Sequence, residues 1–190
     1  MSAPTIKILF DARAIAARVQ ALGQRLQREV AHEDPLVVTL LGGSVIFLAD
    51  LIRSISTPLR YEFMQVEYTA REEDGAEEVV DIHYPIPLEV SGQSVLVLKD
   101  VVSSAVIETY LANQLLQRGA RKVRFIALVD LPKERKTHCQ VDYSVFTTER
   151  SARLVGYGMK HHGRHGNLPY IGYLAEGGPG IEQGVHALKV

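Results

Sequence analysis

Apolar and polar positions alternate between two periods along this chain, and the switching predicts strands and helices in turn. From Asp11 onward, Ile15, Val19, Leu22, Leu26 and Val30 recur every three or four residues, the spacing of one helix face, with Asp11 placed to cap it. Pro35 closes that helix, and the apolar run 36–41 predicts a buried strand. Gly42 and Gly43 turn the chain into a second helix over about 44–55. Residues 60–68 alternate as a strand, 69–78 form the most acidic and least apolar stretch and predict a loop, and 79–84 predict the strand leaving it. After the turn at Ser91 and Gly92, Val95, Leu96, Val97 and Leu98 predict a buried strand that ends in a polar turn. Val106, Tyr110, Leu111, Gln114 and Leu115 then predict a helix closed by Gly119. A strand over 122–129, a charged loop over 133–136, and short strands at 141–146, 154–158 and 170–174 complete the pattern.

Strands alternating with helices predict an α/β fold with a mostly parallel sheet flanked by helices. At 190 residues the chain suits one domain, assigned here to 1–176, and the glycine-rich segment 177–190 is expected to be a flexible tail. With 46% hydrophobic and 23% charged residues the composition is that of an ordinary globular protein. A formal net charge of −1 gives no reason to expect nucleic acid or an acidic membrane as a partner. One cysteine, Cys139, excludes an internal disulfide framework, and the chain shows neither a secretory leader nor a membrane span, so a cytoplasmic location is expected.

Chemistry concentrates where the strand at Val95 meets its helix, because a helix N-terminus after a parallel strand is a natural phosphate site. The sequence there runs Lys99, Asp100, Val101, Val102, Ser103, Ser104, Ala105, Val106, Ile107. Three further segments join it: Leu40 to Leu51 around Gly42 and Gly43; Gly119, Ala120 and Arg121; and Val155 to Met159 followed by Asn167 to Gly172. Together, in this order from Phe10 to Leu174, they resemble the hypoxanthine-guanine phosphoribosyltransferases. The resemblance implies the type I phosphoribosyltransferase fold, with a small C-terminal hood mainly over 145–174 and a homodimer or homotetramer. It also implies a reaction, purine salvage, in which a 6-oxopurine displaces diphosphate from phosphoribosyl diphosphate with Mg²⁺.

Position by position, the same resemblance marks losses. Where the family carries a diphosphate-contacting Lys this chain has Leu41, and the acidic residue that holds the ribose hydroxyls is Lys99, although its neighbour survives as Asp100. The Asp that handles the purine proton is Ser103, and in the phosphate loop Ser104 keeps a hydroxyl while Ala105 and Ile107 replace a glycine and a threonine. The Lys that reads the 6-oxo group is Leu131, unless a gap brings Asp130 or Asp142 there instead. The base-stacking aromatic is Arg153, just before Leu154; the metal-holding Asp is Lys160, and a diphosphate-binding Arg is Gly166. Just before the acidic loop, the family's Ser-Tyr pair is Glu67 and Tyr68, so only the tyrosine matches.

The catalytic positions Lys99, Asp100 and Ser103 therefore read as degenerate. A ligand site is expected at Leu41, Gly42, Gly43, Lys99, Asp100, Ser103, Ser104, Ala105, Val106, Ile107, Leu131, Arg153, Leu154 and Lys160. Since Mg²⁺ needs hard oxygen ligands and a Lys has none, no metal or other cofactor is expected. The leading expectation is a homologue that has lost the transfer and binds a phosphorylated small molecule or nucleotide. An active but divergent purine transferase, or a structural subunit that pairs with another protein, are the alternatives. The run His161, His162, Gly163, Arg164, His165 lacks the spacing and carboxylates of a metal site and reads as an exposed hood loop that could assist anion binding.

Overall fold

A computed structural model describes residues 5–69, 79–83, 88–150 and 153–174. Its centre is a six-stranded sheet in the order β4-β3-β2-β5-β6-β7. These strands are β2 (Leu36–Leu40), β3 (Arg60–Thr69), β4 (Val79–His83), β5 (Ser94–Val102), β6 (Lys122–Asp130) and β7 (Tyr143–Thr147). Every neighbouring pair is parallel except β3 and β4, so the expected mostly parallel α/β fold is what the chain forms. β2 is buried at all five positions, as a continuous apolar run in a sheet covered on both faces must be.

Helices cover both faces. In α1 (Ala12–Val30) the stripe Ile15, Val19, Leu22, Leu26 and Val30 is buried, and the Asp11 side chain accepts the Ala14 N–H at 2.8 Å. It packs beside α2 (Val45–Arg53), whose Phe47, Leu48 and Leu51 join the same core cluster. On the opposite face, α3 (Val106–Gln117) buries Leu111 and Leu115 against Val95, Val97 and Phe125. Among the described residues, no helix is long and apolar enough to cross a membrane.

A second sheet forms the hood, antiparallel in the order β1-β9-β8 from β1 (Ile6–Phe10), β8 (Leu154–Val155) and β9 (Ile171–Leu174). Its β1 comes from the N-terminal end of the chain, a strand that the periodicity did not reveal. Its partner lies more than 160 residues away (Ile6 pairs with Leu174), and Lys7 and Ile8 are both exposed, so the strand has no buried stripe to advertise it. The hood sheet thus takes in β1 beside segments of 145–174, and Val145 and Phe146 lie in β7 of the main sheet.

Other boundaries move for local reasons. Leu41 leaves the strand expected over 36–41 and begins the turn; α2 spans nine residues, shorter than 44–55; and 156–158 form a tight turn, not strand. The strand at Val95 does not stop at Leu98. It runs through Lys99 and Asp100 to Val102, because β6 pairs with it as far as Val102 opposite Asp130. Of the loop expected over 69–78, Thr69 belongs to β3; the rest of it, Tyr84, and the tail 177–190 lie outside the described residues.

Candidate functional site

β2 and β5 are neighbours, but their connections leave in opposite directions: β2 leads through α2 to β3, and β5 leads through α3 to β6. Such a reversal opens a crevice at the C-terminal ends of the two strands, where α/β sheets bind ligands. Here β2 pairs with β5 only as far as Thr39 opposite Leu98. Beyond that point the Gly42 and Gly43 turn replaces β2 at the strand edge, and the Asp100 N–H donates to the Ser44 hydroxyl at 3.0 Å.

A cavity of about 390 Å³ fills the crevice. One wall is Gly42 and Gly43, the floor is Asp100 and Val101 at the end of β5, and the hood supplies Leu154, Gly158, Met159 and Lys160. Thus Gly42, Gly43, Asp100, Leu154 and Lys160 of the expected site meet around one space. The closeness of the walls rests on glycine: a Cβ on Gly43 would collide with the Asp100 carboxylate, and one on Gly158 with the Gly43 carbonyl. The hood is tied down beside this contact by Tyr157, whose hydroxyl donates to Asp50 of α2 at 2.6 Å. Burial, and next that hydrogen bond, push the Tyr157 hydroxyl well above the usual phenol range.

Leu41, Lys99, Ser103, Ser104, Ala105, Val106, Ile107, Leu131 and Arg153 do not line the cavity. Leu41 is 43% exposed at the mouth of the turn. Leu131 is buried in the main core. The Arg153 guanidinium lies on the hood, 3.1 Å from His161 Nδ1. Burial, then the positive neighbours His162, Arg153 and His165, lower the tendency of His161 to take up a proton. Lys160 has no side-chain partner among the described residues, and neither does Arg164.

Lys99 is used internally. Its ammonium lies 3.4 Å from the carboxylate of Glu108, with the two side chains 13% and 5% exposed. Glu108 sits in the first turn of α3, three residues before Leu111 and seven before Leu115, on the stripe that faces the sheet. A carboxylate there is favoured by the helix N-terminus and by the ammonium that reaches it from β5. Sequence reasoning missed Glu108. The signal was available: a charge on the core-facing stripe of a helix requires a buried partner.

The expected phosphate loop, 103–107, is held from behind. Leu131 N–H and Arg135 both donate to the Val102 carbonyl, at 2.9 and 3.0 Å, and Arg135 donates to that of Ser103 at 2.6 Å. Lys136 N–H reaches the Ser104 carbonyl at 2.9 Å, and the Thr109 and Thr137 hydroxyls both reach that of Ala105, at 2.7 and 3.1 Å. Arg135 is itself anchored by Asp130. Ala105 takes the left-handed conformation (φ 60°) that a glycine would adopt freely, and it opens α3 without a side-chain cap. The Val106 N–H lies 3.5 Å from the Ser104 hydroxyl, and the N–H groups that follow it keep the capacity of any helix N-terminus to meet an anion. Nearby, burial raises the Cys139 thiol and the Glu108 charge adds to the effect, which suits an inert thiol and not a nucleophile. Among the described residues, no three His, Cys, Asp or Glu side chains are grouped to hold a metal ion.

Comparison with known proteins places this geometry in context. A family model described as the phosphoribosyl transferase domain matches residues 5–162. The chain is 33% identical over 168 residues to the hypoxanthine-guanine phosphoribosyltransferase of Bacillus subtilis strain 168, which spans 88% of this chain and 92% of that one. It is 29% identical over 170 residues to the enzyme of the same name from Streptococcus pneumoniae strain R6, spanning 90% and 93% of the two chains. The crystal structure of a hypoxanthine phosphoribosyltransferase from Staphylococcus aureus superposes with a TM-score of 0.80 at 26% identity, over 89% of this chain and 91% of that one.

Proposed function

The chain belongs to the hypoxanthine-guanine phosphoribosyltransferase family, and from that premise we propose that its cleft binds a phosphorylated ligand while the Mg²⁺-dependent transfer to a 6-oxopurine has been lost. The observation that carries this reading is the buried pair of Lys99 and Glu108. Transfer from phosphoribosyl diphosphate builds positive charge on the ribose and releases diphosphate, so it depends on acidic groups at the ribose and on hard oxygen ligands for the metal. At the first of these positions the chain has an ammonium whose charge is cancelled from within the fold. Among the described residues, Asp100 is the one carboxylate that lines the cavity, and it shares that space with the ammonium of Lys160. This donor set does not fit Mg²⁺. Ser103, where the purine proton would be taken up, carries a hydroxyl that cannot act as a base at neutral pH. The loss of a general base alone costs on the order of 10²- to 10⁴-fold in rate.

What remains suits binding. Lys160 offers a compact positive charge within the cavity, the loop at the start of α3 offers N–H groups outside it, and neither needs a metal. The test is an assay at high protein concentration with Mg²⁺, phosphoribosyl diphosphate and hypoxanthine, guanine or xanthine, reading nucleotide by mass. The expected result is no nucleotide above background, together with phosphoribosyl diphosphate binding that is unchanged by EDTA. Nucleotide above that of a Lys99→Ala control would establish the divergent transferase instead, a reading favoured by the way Gly42, Gly43 and Asp100 still share one cavity. Self-association as a homodimer or homotetramer is supported by Leu41, Val45 and Ile46, which stand exposed together at the start of α2. Size-exclusion chromatography with light scattering reads it directly.

A further inference from the structure

We propose that the protein carries a second anion site, at the end of the main sheet remote from the cleft, which takes a phosphate dianion. Gly119, Ala120 and Arg121 stand out in the sequence, and the cleft makes no use of them. The fold puts this segment beside the single helical turn Ala31–Glu33 that follows α1. There His32, Glu33, Arg121 and Lys122 line a cavity of about 420 Å³ that shares no residue with the cleft. Ser94, which holds Glu33, and Asp100, in the cleft wall, are six residues apart on β5, about 20 Å along the strand.

The charges around this second cavity do not balance. Glu33 is its one carboxylate among the described residues, and the fold already satisfies it. One of its oxygens accepts from the Ser94 hydroxyl at 2.6 Å and from Arg124 at 2.5 Å. Arg124 is 6% exposed, so its charge is spent on Glu33 and cancels it. Arg121 and Lys122 are then in surplus. The Arg121 side chain is 60% exposed, and its ion pair with Glu33 is long, at 3.9 Å. Lys122 makes no ion pair or hydrogen bond among the described residues and acts on Glu33 only through its field. Two unbalanced cations around one concavity call for a dianion, because a carboxylate would leave one of them unmatched.

The backbone fixes where these cations stand. The Gly92 N–H donates to the Gly119 carbonyl and the Arg121 N–H to that of Gln93, both at 2.8 Å, which ties the turn before β5 to the turn before β6. Lys122 then enters β6 opposite Ser94. A guanidinium fork meets two oxygens of one phosphate, and an ammonium beside it adds a point charge that tolerates several orientations. The volume admits either the free ion or a small phosphate monoester.

Amide NMR of the full chain tests this, titrated in EDTA at pH 8 and constant ionic strength with inorganic phosphate, glycerol 3-phosphate or acetate. Inorganic phosphate is expected to shift the amides of residues 31–33 and 121–122 saturably, with half-saturation near about 1 mM, and acetate to act at least about tenfold more weakly. Glycerol 3-phosphate that binds as tightly as inorganic phosphate assigns the site to monoesters; tenfold weaker binding assigns it to the free ion. Arg121→Ser combined with Lys122→Ser, both at exposed positions, should remove these shifts, whereas Lys160→Ala in the cleft should leave them in place. Shifts that do not saturate, that survive the double variant, or that acetate reproduces at equal concentration overturn the proposal. None of those results bears on the cleft, which is read separately at the amides of residues 42–43 and 100–101.

Discussion

A lysine that faces a glutamate below the protein surface is held by its partner more than it is stabilised by it. Moving both charges out of water is costly, and their attraction roughly offsets that cost; removing one of them leaves the other stranded. Glu108→Gln should therefore destabilise the fold by about 3–5 kcal/mol, and Lys99→Met with Glu108→Leu together should restore or exceed the original stability. Urea unfolding of Lys99→Met, of Glu108→Leu and of the double variant forms a cycle that measures the pair. If Glu108→Gln changed stability by only a few tenths of a kcal/mol, the two charges would not be coupled in the folded protein. The pair also marks the limit of what the residues alone disclosed. Lys99 stood out because it lies where the family resemblance implies an acid. Glu108 did not, because the helical stripe read over Val106, Tyr110, Leu111, Gln114 and Leu115 passes it by, whereas the structure exposes Tyr110 and turns Glu108 inward beside Leu111 and Leu115. Shifting the phase by a fraction of a turn moved a buried charge onto the apparent solvent face.

At the scale of elements, the cleft is a meeting of two turns and a strand end: the turn after β2, the end of β5 and the hood turn after β8. Strands with apolar cores were legible because β2, β5 and β6 are continuous apolar runs. The charged extension of β5 was hidden, because Lys99 and Asp100 look like a turn until β6 is known to pair beside them. The contact between turns was equally hidden, since it depends on two glycines 115 positions apart in the chain, Gly43 and Gly158. That contact can be tested against a control. Gly158 has φ +99° and a Cβ there would strike the Gly43 carbonyl, whereas Gly42 has φ +127° with nothing within 4 Å of its Cβ. Gly42→Ala should cost only the conformational penalty, about 1–2 kcal/mol. Gly158→Ala should cost more than that, because backbone must move as well, and should also weaken phosphoribosyl diphosphate binding by displacing the cavity wall. Thermal denaturation and titration of the two variants give the comparison; equal losses would mean that the hood yields freely and does not shape the cleft.

For the molecule as a whole, the two ends of the sheet carry different titrating groups, which predicts opposite limits of pH stability. At the end away from the cleft, Glu33 accepts from the Ser94 hydroxyl at 2.6 Å and from Arg124 at 2.5 Å, with Arg124 buried at the start of β6. The Ser94 hydrogen bond, followed by the Arg124 and Lys122 charges, holds the Glu33 carboxyl below the ordinary glutamate value of 4.5, against an opposing effect of burial. A carboxylate lowered on folding stabilises above its unfolded value, and that contribution disappears as pH falls through the lowered one. At the cleft end the sign reverses. Tyr157 is raised above the ordinary phenol value of 10.0 by burial and by its bond to Asp50, so its contribution is complete below that value and is lost as pH rises beyond it. Glu33→Gln should therefore flatten the acid limb of a stability–pH curve and leave the alkaline limb alone, while Tyr157→Phe should do the reverse. Because the two groups share no partner, the double variant should show both changes added, to within about 0.5 kcal/mol at each pH. Chemical denaturation from pH 3 to pH 11 reads both limbs in one series. A steeper acid limb in Tyr157→Phe would show that the hood latch and the rear ion pair open as one unit, and that the cleft and the far end of the sheet are energetically a single element.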